Sequence, residues 1–126
     1  MTLLLQNLAA ASRDRVWQYF RDGVEVSWLY QNGAHGPAAA FLRYQPGARV
    51  PFHRHAGYEH VLVLEGAQRD ANGTHAAGSL TINPPGSAHE VASEEGCVVL
   101  IIWERPVIIE PPLTHDEVHV IEGCCL

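Results

Sequence analysis

Positive charge is scarce in this chain. Eight Arg and Lys residues together stand against fourteen Asp and Glu, for a formal net charge of −6. Binding to a phosphate backbone needs clustered cations, and here they are scattered singly or in loose pairs. A nucleic-acid partner is therefore not expected. No apolar run approaches the ~18–20 residues that span a bilayer, so no membrane partner is expected either. Cysteine is limited to Cys97, Cys124 and Cys125, which do not make a disulfide framework in a chain of this size. A reduced, cytoplasmic setting follows as the expectation. Cys97 precedes an apolar run and reads as buried. Cys124-Cys125-Leu126 is not a prenylation box, which needs its cysteine four residues from the end, and reads as a plain exposed tail. The N-terminal "MTLLLQNLAAASRDR" has no basic leader, and Gln6 and Asn7 break its apolar stretch. It reads as mature chain, not as a secretory signal.

What is present points to strands. A length of 126 residues with 47% hydrophobic composition suits one domain with a real core. We expect a single domain over residues 1–126, with a barrel core at about 16–109 and a C-terminal extension at 110–126. Asp22-Gly23, Asn32-Gly33 and Asn72-Gly73 are two-residue hairpin candidates, because these residues tolerate positive φ. Between such turns lie "VWQYF", "VEVSWLY", "AAAFLRY", "HVLVLEG", "SLTI", "CVVLIIW" and "PVII", all rich in strand-favouring residues. Helical period is weak outside residues 3–11. The tail "THDEVHVIEG" is ambiguous, since Thr114 and Glu117 make a capping box while Val118 and Val120 alternate as a strand would. The expected fold class is all-β.

The stretch "PFHRHAGYEHVLVLEG" carries the chemistry. His53 and His55 are two apart, which on a strand sends both imidazoles to one face. Glu59 follows four residues after His55, with Ala56 and Gly57 between them allowing a bend. Two imidazoles and a carboxylate suit a divalent transition metal: Fe(II), Zn, Mn or Ni. Thirty residues after Glu59, Pro84-Pro85-Gly86 turns the chain and His89 opens another strand, a source for a fourth ligand. His60 follows Glu59 and should face away from the others. Tyr58 shares that opposite parity. His35 and His75 stand beside hairpin turns and read as solvated. His115 and His119 are four apart but lack a third ligand, so no second metal site is expected. Trp28, Phe41, Tyr44, Phe52 and Trp103 are expected in the core or the pocket wall.

The first stretch reads Gly47, five residues, His53, one, His55, three, Glu59, six, Gly66. The second reads Gly78, five, Pro84, one, Gly86, two, His89. Nine positions over some forty residues thus resemble the two motifs of the cupin superfamily, and the wider pattern over residues 47–93 looks most like the ChrR-like cupins. The resemblance implies a jelly-roll β-barrel with a metal held at His53, His55, Glu59 and His89. It departs from those relatives at Tyr58, where many have glycine, at His60, where a second glutamate is frequent, and at Ser93, where asparagine is usual. The chain as written has no zinc-binding helical domain ahead of the cupin, so anti-sigma activity is not expected to carry over.

Three imidazoles and a carboxylate leave two positions of a six-coordinate ion open. With Fe(II) that suits dioxygenase chemistry on a small oxygen-bearing organic substrate in a dry pocket. The resemblance to small cupins that cleave β-diketones points the same way. A non-catalytic, metal-dependent ligand-binding or sensor module is the alternative. Small cupins commonly pair through sheet edges, so a homodimer is expected, with "VVLIIW" and "PVII" as either its seam or core.

Overall fold

Turn residues divide the chain into short strands, and the computed structural model, which describes residues 2–109, shows where each one runs. After a short helix, α1 (Leu8–Arg13), come β1 (Gln18–Arg21), β2 (Val24–Gln31), β3 (Ala38–Tyr44), β4 (Ala48–Arg54) and β5 (Glu59–Asp70). These are followed by β6 (Gly73–Ala76), β7 (Leu80–Asn83), β8 (Ala88–Ser93), β9 (Cys97–Trp103) and β10 (Ile108–Ile109). The fold is all-β with minor helix. The readings of residues 110–126, including His115, His119, Cys124 and Cys125, lie outside the described residues.

The strands pair in the order β1-β2-β3-β9-β5-β8-β4-β10, with β6 and β7 also on β5. Their pairings are antiparallel. Strand β5 is the hub. Its first residues pair with β9 and β7, and its far end with β6 and β8. Twelve residues is about twice the usual strand length, and a strand that long must twist and bend. A register shift between Val63 and Glu65 marks the bend. It lets one strand serve both halves of a curled antiparallel barrel.

Both halves bury their inner faces in one apolar core. Leu42 of β3, Val50 of β4, Val63 of β5, Val91 of β8 and Val99, Ile101 and Trp103 of β9 all belong to it. Burying each such aliphatic side chain contributes about 1.5–3 kcal/mol relative to leaving it in water. Strand β9 lies between β3 and β5, so "VVLIIW" is core and not an edge seam. Among the described residues strand β10 ends this order, paired only with β4.

The outer face is not uniformly wet. Phe41 is fully buried although its neighbours Ala40 and Leu42 take the inner positions. The segment after α1 covers it: the Arg15 guanidinium lies 5.5 Å from the Phe41 ring centre and donates to Ser27 Oγ at 2.9 Å and the Trp28 carbonyl at 3.0 Å. Farther along the same face Leu80, Ile82 and Ile102 stay exposed.

Candidate metal centre

Strict alternation would put Val50 and His53 on opposite faces of β4, because they are three apart. A register shift against β8 between these two residues resets the pattern, and both are fully buried. The same irregularity turns Phe52 outward. Its expected place in the core or pocket wall is thereby corrected, and it is exposed. His53 then sits directly opposite His89 of β8.

His55 lies one residue past the end of β4. Its N–H donates to the Ser87 carbonyl at 2.8 Å, and its own carbonyl accepts from the Gly86 N–H at 2.8 Å. The Pro84-Pro85-Gly86 turn is thus clamped to the ligand segment. Gly57 passes so close to Glu104 that a Cβ there would stand 2.8 Å from Glu104 Cβ and force a shift, and Glu104 Oε1 accepts from the Tyr58 N–H at 2.9 Å. Glu59 opens β5 with Asn83 of β7 and Trp103 of β9 directly opposite on either side.

One ring nitrogen from each of His53, His55 and His89 lies within 4.8 Å of the others. The hydrogen bonds decide which nitrogen faces in. His53 Nδ1 is 2.8 Å from the Pro51 carbonyl. His55 Nδ1 is 3.0 Å from the Ser87 carbonyl and 2.9 Å from its hydroxyl. His89 Nδ1 is 3.0 Å from Asp70 Oδ2. A carbonyl or carboxylate can only accept, so each Nδ1 must carry the proton and donate. Each Nε2 is left as an inward lone pair, and all three are buried without a hydrogen-bond partner among the described residues.

Glu59 is buried beside this triad. Its Oε1 accepts from Asn83 Nδ2 at 3.1 Å, and Oε2 has no partner. Oε1 also stands 3.2 Å from His55 Nε2 without making a hydrogen bond. Two lone pairs at that distance repel unless a proton or a cation is shared between them.

Electrostatics favours donors ready to bind. Burial lowers the proton affinity of His53 from the ordinary 6.5 to about 4. Burial and the neighbouring His55 lower that of His89 as well. Burial alone would raise Glu59, but the nearness of His55 first, then of His53 and His89, outweighs it and holds the carboxyl below its ordinary value. Three imidazole Nε2 atoms and one carboxylate thus converge in a buried cluster. That donor set fits a divalent transition ion of intermediate softness, and four buried unpartnered donor atoms are costly in any other role.

The remaining histidines divide as their geometry requires. His60 pairs across the sheet with Ile82 and Ile102 on the outer face, with the exposed Tyr58 ring 6.4 Å from it, both as expected from parity. His35 is exposed. His75 corrects the expectation of a solvated side chain: its Nε2 is 2.9 Å from Asp70 Oδ1 and only 18% of the side chain is exposed. Ser93 is buried and ties β8 to β5 through its hydroxyl, which donates to the Ala67 carbonyl at 2.6 Å. Asp70 was not foreseen as part of the site. Counting by twos from Glu59 sends it outward, and the shift between Val63 and Glu65 brings it back. Tyr44 Oη and Trp103 Nε1 are further buried donors without partners among the described residues.

A curled antiparallel barrel enclosing such a histidine cluster is the architecture of a cupin. The ChrR cupin-like domain family matches residues 5–106, and the chain belongs to that family. It is 37% identical over 94 residues to the anti-sigma-E factor ChrR of Cereibacter sphaeroides, covering 72% of this chain and 43% of that protein. The chain thus spans under half the length of that curated relative. The ChrR structure in complex with SigE from Rhodobacter sphaeroides aligns with a TM-score of 0.64 at 32% identity, covering 71% of this chain and 50% of that one. An acetylacetone dioxygenase from Acinetobacter johnsonii aligns with a TM-score of 0.69 over 86% of this chain and 76% of its own, at 14% identity, a likeness of fold.

Proposed function

We propose that the chain is a metal-dependent, dioxygenase-like enzyme acting on a small oxygen-bearing organic molecule. Its divalent transition metal, Fe(II) before Zn, Mn or Ni, would be held by His53, His55, Glu59 and His89. The observation that carries this reading is the set of three buried, unpartnered Nε2 atoms facing a carboxylate. Iron(II) bound there would supply electrons for O₂ activation and a chelation point for neighbouring substrate oxygens. The chain's own part is positional. Pro51, Ser87 and Asp70 hold the imidazoles as Nδ1–H tautomers, and Asn83 holds the carboxylate. Val61, Val63, Val91 and Trp103 supply an apolar wall that excludes water and limits side reactions.

The alternative to test against it is a metal-dependent ligand-binding or sensor module without turnover. Fe(II) reconstitution of purified protein, with O₂ uptake followed over β-diketones, keto acids and thiols, separates the two. Uptake that needs both the metal and His53 supports the enzyme. Tight ligand binding with no uptake under any redox metal sinks it and leaves the module. A cytoplasmic homodimer completes the proposal. Exposed Leu80, Ile82 and Ile102 support the pairing, and sedimentation would report twice the 13.8 kDa chain mass.

A further inference from the structure

Of the three imidazoles, two rest on neutral acceptors, the Pro51 carbonyl and the Ser87 carbonyl and hydroxyl. Among the described residues only His89 rests on a carboxylate. Asp70 Oδ2 accepts from His89 Nδ1 at 3.0 Å, and the Asp70 side chain is only 5% exposed. Asp70 is itself fixed from two other directions. Its Oδ1 faces His75 Nε2 at 2.9 Å and accepts the Asn72 N–H at 2.8 Å. The turn between β5 and β6 therefore reaches back to the cluster through one buried carboxylate, buttressed by a second histidine from β6.

We infer that Asp70 is a positioning residue of the metal centre: it fixes the orientation and tautomer of His89, and His75 holds it in place to do so. The inference rests on the proposed metal centre. A carboxylate behind a histidine ligand fixes which nitrogen points at the ion and makes that nitrogen a stronger donor, and losing such a partner weakens metal affinity by about 10–100-fold. His53 and His55 have neutral partners, so His89 is the ligand most dependent on a single side chain. Ser87 marks the contrast, because Ser87→Ala removes a hydroxyl but leaves His55 its carbonyl acceptor.

The test uses the full chain and two probes, Zn(II) and Co(II) alone. Affinities are read by competition with a chromogenic chelator, and the His89 tautomer by ¹H–¹⁵N correlation in the metal-free state. Asp70→Ala should lose about 10–100-fold in affinity, shift the Co(II) visible spectrum and leave His89 as a tautomer mixture. Asp70→Asn keeps an acceptor without the charge and should recover part of the loss. His75→Ala should cost less than Asp70→Ala, since Asp70 stays against His89. Ser87→Ala should also cost less than Asp70→Ala, because His55 keeps its carbonyl acceptor. A folded Asp70→Ala protein with wild-type affinity and an unchanged tautomer overturns the inference while leaving the metal centre standing. If Asp70→Ala does not fold, Asp70→Asn decides, and wild-type affinity there overturns it equally. A wild-type chain that binds neither ion overturns the metal-centre reading itself.

Discussion

Acidifying the metal-free protein probes the burial of His53 directly. An imidazole in the unfolded chain takes up its proton near pH 6.5, whereas burial in the folded state lowers that to about 4. Between these values the unfolded state binds more protons, so stability must fall as pH falls. His53's contribution is fully present above about pH 6.5 and fully lost below about pH 4. At about 1.4 kcal/mol per tenfold difference in proton affinity, His53 alone removes about 3 kcal/mol. That is a large share of the ~5–15 kcal/mol that holds a typical domain together. His89, lowered chiefly by burial, acts with the same sign. Glu59 and Asp70 are held below their ordinary values of 4.5 and 3.8, so their contributions begin to be lost only at the acid end of this window and below it. Urea unfolding followed by tryptophan emission between about pH 7 and about pH 4 measures the slope. His53→Gln removes the titrating group and should flatten the curve by about 3 kcal/mol over that window. A wild-type stability that does not change with pH, or an equal slope in His53→Gln, would refute the argument.

Three further outcomes are expected. Gly66 has φ +72, and a Cβ there would overlap the Gly96 carbonyl, so Gly66→Ala should cost more than ~3 kcal/mol. Gly47→Ala, at φ +85 in open space, should cost only the left-handed penalty of about 1–2 kcal/mol, and equal denaturant midpoints for the two variants would contradict this. A Cβ on Gly57 would stand 2.8 Å from Glu104 Cβ and push the connection between His55 and Glu59 off its place. Gly57→Ala should therefore weaken Zn(II) affinity by on the order of tenfold, and an unaltered chelator competition curve would count against the clamp. Phe41→Ala should lose about 3–5 kcal/mol. A loss near 1 kcal/mol would mean that the Arg15 cover is not holding that ring out of water.

Much of the clustering at the candidate site was legible in spacing, because three of its four side chains lie close together in the chain. His53, His55 and Glu59 needed only strand alternation and one bend, and the turn at Pro84-Pro85-Gly86 pointed to His89. The all-β class followed from turn residues bracketing β-branched runs. What escaped was anything that depends on a bulge. The shift near Pro51 sent Phe52 outward, and the shift after Val63 brought Gln68 and Asp70 inward. Counting by twos fails at one added residue, and nothing in the local sequence announces where a long strand will bend. His75 was missed for the same reason, since its partner was not known to face it.

His53 and His89 are cross-strand neighbours in space but thirty-six residues apart in the chain. Their meeting is a non-local event, delayed by the entropy of closing the loop between them. A chain leaving the ribosome shows His53, His55 and Glu59 first and must wait for β8 before the third imidazole arrives. An unfinished chain thus offers three of the four donors, and the full set forms only at the step at which the barrel closes. Completion of the donor set in this architecture would be a clock for the end of folding.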